Sequence, residues 1–175
     1  MLINELKSKI RNIPDFPKKG IQFKDITTLL SDSTAFRQAI DLMAQRYLTE
    51  GIDAVIGIEA RGFVVGAALA HKLGTGVILV RKAGKLPCKT VSASYDLEYG
   101  KDCLEIHEDA ISPGMKVLVV DDVLATGGTI SAVLKILKTM GADVFECCFL
   151  LELTALNGRA QFSGQKVFSL IQFDD

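Results

Sequence analysis

The sequence predicts an α/β fold built on a parallel, doubly wound sheet, and three observations carry that prediction. Short apolar runs of strand length alternate with longer stretches whose apolar residues recur at helical spacing. The runs AVIGI (54–58) and KVLVV (116–120) have the near-continuous apolar character of strands covered on both faces. A short turn and then a helical pattern follow each of them, which is the rhythm of β-α-β units.

The elements follow in chain order. Leu2, Ile3, Leu6 and Ile10 are spaced for a short amphipathic helix over 2–11. The next stretch, NIPDFPKKGIQFKDITTLL, carries Pro14, Pro17 and Gly20 and is expected as loop with short extended pieces. Asp32-Ser33 caps a second helix whose apolar face is Phe36, Ile40, Met43 and Tyr47, ending near Gly51. A strand at 54–58, a helix at 62–73 closed by Gly74 and a strand at 76–80 come next. RKAGKLPCKTVSA (81–93) holds two breakers and no apolar period, so it is expected as loop. SYDLEYG and DCLEIHE alternate around Gly100 like the arms of a hairpin. After the strand 116–120, Ile130, Val133, Leu134 and Leu137 share one face of a helix that follows Gly128. VFECCFLLEL and KVFSLIQF are the last two strands. The first forty residues and the segment 82–106 stand outside the alternation, and no repeat or low-complexity segment is present.

Bulk properties narrow the function. A chain of 175 residues suits one domain, 1–175. Twenty Lys and Arg against twenty-one Asp and Glu give a net charge of −1, which does not suggest a coat for nucleic acid or membrane. Cys88, Cys103, Cys147 and Cys148 form no CxxC pair, and with only His71 and His107 beside them no zinc constellation has sensible spacing. Reduced thiols, a start without signal-peptide character and the lack of an apolar stretch near ~20 residues lead us to expect a cytoplasmic protein.

The chemistry concentrates in VLVVDDVLATGGT (117–129). In an open α/β sheet, ligands bind beyond the carboxyl ends of the strands. The strand 116–120 delivers Asp121 and Asp122 to that edge, and Ala125, Thr126, Gly127, Gly128 and Thr129 lead into a helix N-terminus. Free N–H groups and the helix dipole favour a phosphate there, and the glycines let the main chain come close to its oxygens. No GxxxxGK[ST] and no GxGxxG is present, so this is neither a Walker loop nor a dinucleotide fingerprint. Two acids just before a phosphate turn suit a ribose 5-phosphate, whose hydroxyls need acceptors. The stretch resembles the 5-phosphoribosyl diphosphate (PRPP) signature of type I phosphoribosyltransferases. That resemblance implies that Asp121 and Asp122 hold the ribose hydroxyls and that Ala125 to Thr129 cradle the 5-phosphate.

A PRPP donor requires a second anion site for pyrophosphate. RKAGKLPCK (81–89) carries four basic residues, among them Arg81, Lys82 and Lys85, and no acid. Its breakers suit a mobile segment that closes over pyrophosphate and excludes water. EARGF (59–63) follows the strand 54–58 directly, so Arg61 is the other candidate for a pyrophosphate clamp. The family resemblance adds a non-proline cis peptide in this loop, by position Ala60–Arg61.

A longer series occurs in order: DFPKKGIQFKDIT, EARGF, RKAGKLP, SYDLEYGKDCLEIHEDAI and VLVVDDVLATGGT. It resembles the adenine phosphoribosyltransferase family along nearly the whole chain. The resemblance implies an N-terminal hood within 1–32 whose segment Gln22, Phe23 and Lys24 binds adenine, with Phe23 stacked on the ring. It also implies a flexible loop and hairpin over 82–106, catalytic roles for Glu98 at N7 of the base, for Tyr99 in the closing loop and for Arg61, and no direct protein ligand for the Mg²⁺ that accompanies PRPP or pyrophosphate. Adenine, PRPP, AMP and pyrophosphate are then the partners, and a homodimer with contacts in 82–106 is expected. Lys24 stands where an arginine is common and Thr28 where a proline is common. A transferase for 6-oxopurines shares the fold, a PRPP-binding regulator shares the signature, and a phosphoacceptor receiver domain shares only the Asp-Asp strand end. The nearly neutral charge weighs against the regulator.

Overall fold

The computed structural model describes residues 2–97 and 100–174. Helix α1 (Leu2–Ser8) leads into an antiparallel ribbon of β1 (Arg11–Pro14) and β2 (Gln22–Asp25). Helices α2 (Thr27–Ser31) and α3 (Ser33–Gln45), strand β3 (Ala54–Ile58), helix α4 (Gly62–Leu73) and strand β4 (Gly76–Lys82) follow. The hairpin strands β5 (Thr90–Leu97) and β6 (Gly100–His107) come next, then β7 (Lys116–Leu124), α5 (Gly128–Thr139) and β8 (Asp143–Leu153). Two 3₁₀ turns, Thr154–Leu156 and Gly158–Phe162, connect to β9 (Val167–Phe173).

Seven strands form one sheet in the order β5-β6-β4-β3-β7-β8-β9. The five from β4 to β9 run parallel, and the hairpin joins antiparallel at the β4 edge, with Arg81 opposite Glu105 and Lys82 opposite Leu104. Strand alternation divides the core. Val55, Leu118, Val120, Cys148 and Leu150 pack with residues of α3 and α4 on one face. Ala54, Ile56, Val117, Val119, Cys147 and Phe149 pack with Ile130, Val133 and Ile136 of α5 on the other. Both faces are covered, as a doubly wound sheet requires. Burial pushes the Cys147 and Cys148 thiols up to about 12, which leaves them inert at neutral pH.

The N-terminal segment is built by local bonds. Asp32 Oδ1 accepts from the N–H groups of Thr34 (3.1 Å) and Ala35 (3.0 Å), capping α3 as its sequence predicts. The C-terminal end of α3 is tied to β8: Arg46 donates to buried Glu146 through Nε (2.6 Å) and Nη2 (2.8 Å), and the Tyr47 hydroxyl adds a third bond at 2.8 Å. Helix α1 ends at Ser8, earlier than its spacing suggests. Ile10 turns into the core and the Arg11 N–H donates to Thr28 Oγ1, which starts the ribbon instead. Helix α3 likewise ends at Gln45, short of Gly51.

Two further boundaries differ. β5 starts at Thr90, inside the stretch expected as loop, because Val91, Ala93 and Tyr95 alternate and pack on the α5 side of the sheet. β7 continues to Leu124, so Asp121 and Asp122 lie within the strand, with Asp121 still opposite Phe149 of β8.

Candidate active site

The sheet's carboxyl edge gathers the polar groups. Asp121 and Asp122 are successive residues of β7, and the Asp122 N–H donates to Asp121 Oδ1 at 2.9 Å. Asp122 is 5% exposed, and its Oδ2 lies 2.6 Å from Nε of Arg61, at the start of α4. That contact pairs charges without hydrogen-bond alignment, so Oδ2 is buried and has no aligned donor. Burial first, and the adjacent Asp122 carboxylate second, push the Asp121 carboxyl well above the usual carboxylate range. The site therefore holds an acceptor oxygen, Asp122 Oδ2, that the protein leaves unsatisfied, a state that a ligand's hydroxyl donor would relieve.

Immediately downstream the chain bends through 125–129 into α5. Gly127 has φ +86° and occupies the cap position of α5 with no capping side chain. The first N–H groups of the helix are thus left to whatever fills the bend. A cavity of about 70 Å³ sits there, lined by Asp121, Ala125, Thr126, Gly127 and Thr129 among others. It is large enough for a phosphoryl group and little more.

A second cavity of about 320 Å³ shares Asp121, Val123 and Ala125 with the first. The ribbon supplies Ile21, Gln22, Phe23 and Lys24 to its wall, and the sheet supplies Val123 and Leu153. Phe23 stands edge-on to Phe16, with ring centroids 5.2 Å apart, which fixes its plane. The Arg61 guanidinium is 5.6 Å from the Phe23 centroid, so Arg61 spans from the hood ring to the acid pair. Gln22 Oε1 accepts from Asn12 Nδ2 at 2.7 Å, and Lys24 is buried with its ammonium 4.6 Å from the Phe173 centroid.

Glu59, directly after β3, gathers the basic residues around the end of β4. Its carboxylate takes Lys85 Nζ (2.5 Å), the Lys82 N–H (3.0 Å) and Arg81 Nε (3.3 Å). Burial alone would raise Glu59, but these donors outweigh it and hold the carboxyl at about 2. Lys82 Nζ turns the other way, to Asp102 Oδ2 at 2.9 Å on β6. Buried Glu105 accepts from the Lys85 and Leu86 N–H groups at 3.3 Å each.

Ionised Glu59 is bound more tightly in the folded chain than in the unfolded one. Its contribution to stability is therefore fully present above the ordinary carboxylate value near 4.5 and lost as pH falls toward about 2. Asp25, brought to about 2 chiefly by the Arg11 guanidinium, acts in the same window. A Glu59→Gln variant should lose less stability than the parent between these values, and urea melts at graded pH measure this.

The structure brings Gln22, Phe23, Lys24, Arg61, Asp121, Asp122, Ala125, Thr126, Gly127 and Thr129 around two joined cavities, whereas Gly128, the first residue of α5, lines neither. Arg81, Lys82 and Lys85 do not line either one and gather instead at the end of β4. The candidates Glu98 and Tyr99 lie outside the described residues. The cis peptide is Glu59–Ala60, one residue before the expected Ala60–Arg61. Sequence reasoning missed Glu59, Val123 and Leu153. Glu59 had a signal in its position one residue past an apolar strand, whereas Val123 and Leu153 read as ordinary core.

The class of protein defined by this fold and site is a phosphoribosyltransferase. The family model described as the phosphoribosyl transferase domain matches residues 25–174, and the chain belongs to that family. Its relatives narrow the class. The chain is 61% identical to adenine phosphoribosyltransferase of Geobacter metallireducens over 171 residues, covering 98% of this chain and 100% of the relative. A crystal structure of adenine phosphoribosyltransferase from Thermoanaerobacter pseudethanolicus superposes with a TM-score of 0.94 at 51% identity, covering 98% of this chain and 99% of that one. The Saccharomyces cerevisiae adenine phosphoribosyltransferase, solved with adenine and an imino-altritol bisphosphate, gives 0.92 at 37% identity, covering 97% and 98%.

Proposed function

We propose that the chain transfers the 5-phosphoribosyl group of PRPP to adenine, giving AMP and pyrophosphate, as a step of purine salvage. One observation carries the reading: a phosphoryl-sized bend and a base-sized slot meet at Asp121, next to its partner acid Asp122. A nucleoside monophosphate has that order of parts. Its phosphate fits the 125–129 bend, its diol the acid pair, and its base the slot walled by Phe23, Val123 and Leu153.

Carbon 1 of the ribose becomes oxocarbenium-like as pyrophosphate departs, and adenine N9 attacks the opposite face. On this reading Asp121 and Asp122 hold the ring in place, Phe23 and the main chain of 22–24 orient the base, and Arg61 meets the leaving group. Glu98 holds a proton or hydrogen bond at N7, and Tyr99 helps exclude water. Positioning two substrates in a dry site supplies most of the acceleration. The carboxylate oxygens of the acid pair are hard donors of the kind Mg²⁺ accepts, and buried Asp122 Oδ2 has no aligned donor of its own. Among the described residues no group of three His, Cys, Asp or Glu could hold a metal, so Mg²⁺ would be carried on substrate oxygens, with the acid pair holding the ribose hydroxyls beside it. When bound, Mg²⁺ neutralises charge on the diphosphate.

Pyrophosphate binding requires Lys85 to leave Glu59 or to reach past it. Lys85→Ala is expected to weaken pyrophosphate affinity about tenfold, since one charge-assisted hydrogen bond is lost. Calorimetry with the Mg²⁺ salt checks this, and undiminished binding would remove Lys85 from the site.

A homodimer in the cytoplasm fits this reading. Val77 and Leu79 are 39% and 40% exposed on the stretch of β4 that pairs with β3 alone, since β6 meets β4 only at Arg81 and Lys82, and Val64 on α4 is exposed as well. A second copy covering that face would bury them beside the 82–106 segment, and sedimentation gives the mass. No helix of the described residues is long and apolar enough to cross a membrane. The reading as a whole is tested by a crystal soaked with AMP: the phosphate belongs in the 125–129 bend, and a nucleotide bound elsewhere overturns it.

A further inference from the structure

Behind the 125–129 bend lies a contact that the proposed reaction does not use directly. The 3₁₀ turn Gly158–Phe162 presses its first residue against the bend, backbone to backbone. A methyl group at Gly158 would collide with the Ala125 carbonyl oxygen and lie 3.0 Å from Leu124 Cδ1. A methyl group at Gly127 would collide with the Gly158 carbonyl oxygen and lie 3.1 Å from Phe162 Cε1. Two glycines thus face each other with no space for a side chain on either, and the position of one main chain fixes the other.

The turn is itself pinned by the next residue. Arg159 donates to both oxygens of Glu152, from Nε at 2.7 Å and from Nη2 at 2.5 Å. Ser169 of β9 donates to Glu152 Oε2 at 2.6 Å. Glu152 is 4% exposed at the end of β8, so it is a buried acid whose cation arrives only with the 3₁₀ turn. Arg159 lowers the Glu152 carboxyl below its usual value despite burial. A bidentate fork is directional, so it sets the orientation of the turn as well as its attachment.

We infer that the Glu152–Arg159 pair is a positioning device for the phosphate-binding bend, acting through the Gly158–Gly127 contact. This deepens the reading of 125–129 as a 5-phosphate site and rests on it for its kinetic consequence. Neither residue touches substrate on this account. A preorganised bend holds its N–H groups where the phosphate oxygens arrive, and a small displacement weakens several of them together.

The pair Arg46–Glu146 supplies a matched control, since it is also a bidentate arginine on a buried glutamate of β8 but lies away from both cavities. Glu152→Gln and Glu146→Gln should both lower the melting temperature. Only Glu152→Gln should raise the KM for PRPP, by about tenfold, and only it should speed hydrogen–deuterium exchange at the amides of 126–129 in the ligand-free protein. Arg159→Lys, which keeps the charge and loses the fork, should fall between parent and Glu152→Gln, and it replaces Glu152→Gln if that variant does not fold. Unchanged exchange at 126–129 in both Glu152→Gln and Arg159→Lys would overturn the inference whatever the enzyme assay shows. Exchange that changes in a protein without PRPP turnover would overturn the function reading and leave the device standing.

Discussion

Replacing the acid pair, Asp121→Asn with Asp122→Asn, is expected to raise the KM for PRPP about 100-fold or more while the protein stays folded. The magnitude follows from the Asp122 carboxylate lost to the ribose diol, roughly 1.5–3 kcal/mol as a charge-assisted hydrogen bond, together with the Asp121 acceptor at about 0.5–1.5 kcal/mol. Stability should move the other way. Asp121 binds its proton more tightly in the folded chain than in the unfolded chain, because burial and Asp122 oppose its charge. Its favourable contribution is present below the unfolded carboxylate value near ~4 and is lost as pH rises through the raised folded value. At neutral pH the neutral amide avoids that loss, so Asp121→Asn alone should raise the ligand-free melting temperature. Removing Asp122 strands Arg61, but that side chain is 43% exposed and water can solvate it. Steady-state kinetics paired with thermal melts check both signs. A pair variant with ordinary PRPP kinetics would take the diol away from β7.

Gly127→Ala is expected to lower kcat/KM for PRPP by about 100-fold, with a smaller effect on adenine binding. Two costs coincide at this residue. The left-handed φ of +86° disfavours any side chain, and the added methyl meets the Gly158 carbonyl, which is backbone and cannot swing aside. The chain must shift where the first N–H groups of α5 would meet the phosphate, and a misplacement near 1 Å costs catalysis on the order of 10²-fold. Titrating ribose 5-phosphate by calorimetry isolates this effect from the base slot. Binding at the parental affinity would show that the bend tolerates the shift.

Much of this was legible in the sequence because strand and helix periods are strong signals. AVIGI and GFVVGAALAHKL fall on β3 and α4 with their predicted bounds, since a fully apolar strand and a glycine-closed helix leave little freedom. Asp121 and Asp122 line the larger cavity, and Asp121 and Gly127 the smaller, so the stretch singled out in the sequence lies at the site except for Gly128. The end of β7 was not legible: an acid normally marks a strand's exit, and here pairing with β8 carries the ladder past two of them to Leu124. Nor was the segment TALNGRAQF, which has no apolar period, although its Gly158 and Arg159 support the bend. Glu59 illustrates a third limit. Its hold on Arg81 and Lys85 joins residues more than twenty positions apart, which only the parallel pairing of β3 and β4 brings together.

Pyrophosphate release from PRPP, measured with adenine, hypoxanthine, guanine and xanthine in turn, tests the central claim most directly. Release with adenine, matched one-for-one by AMP, is the expected result, with little release for the three 6-oxopurines. Faster release with any of those three, or no release with adenine, would contradict it.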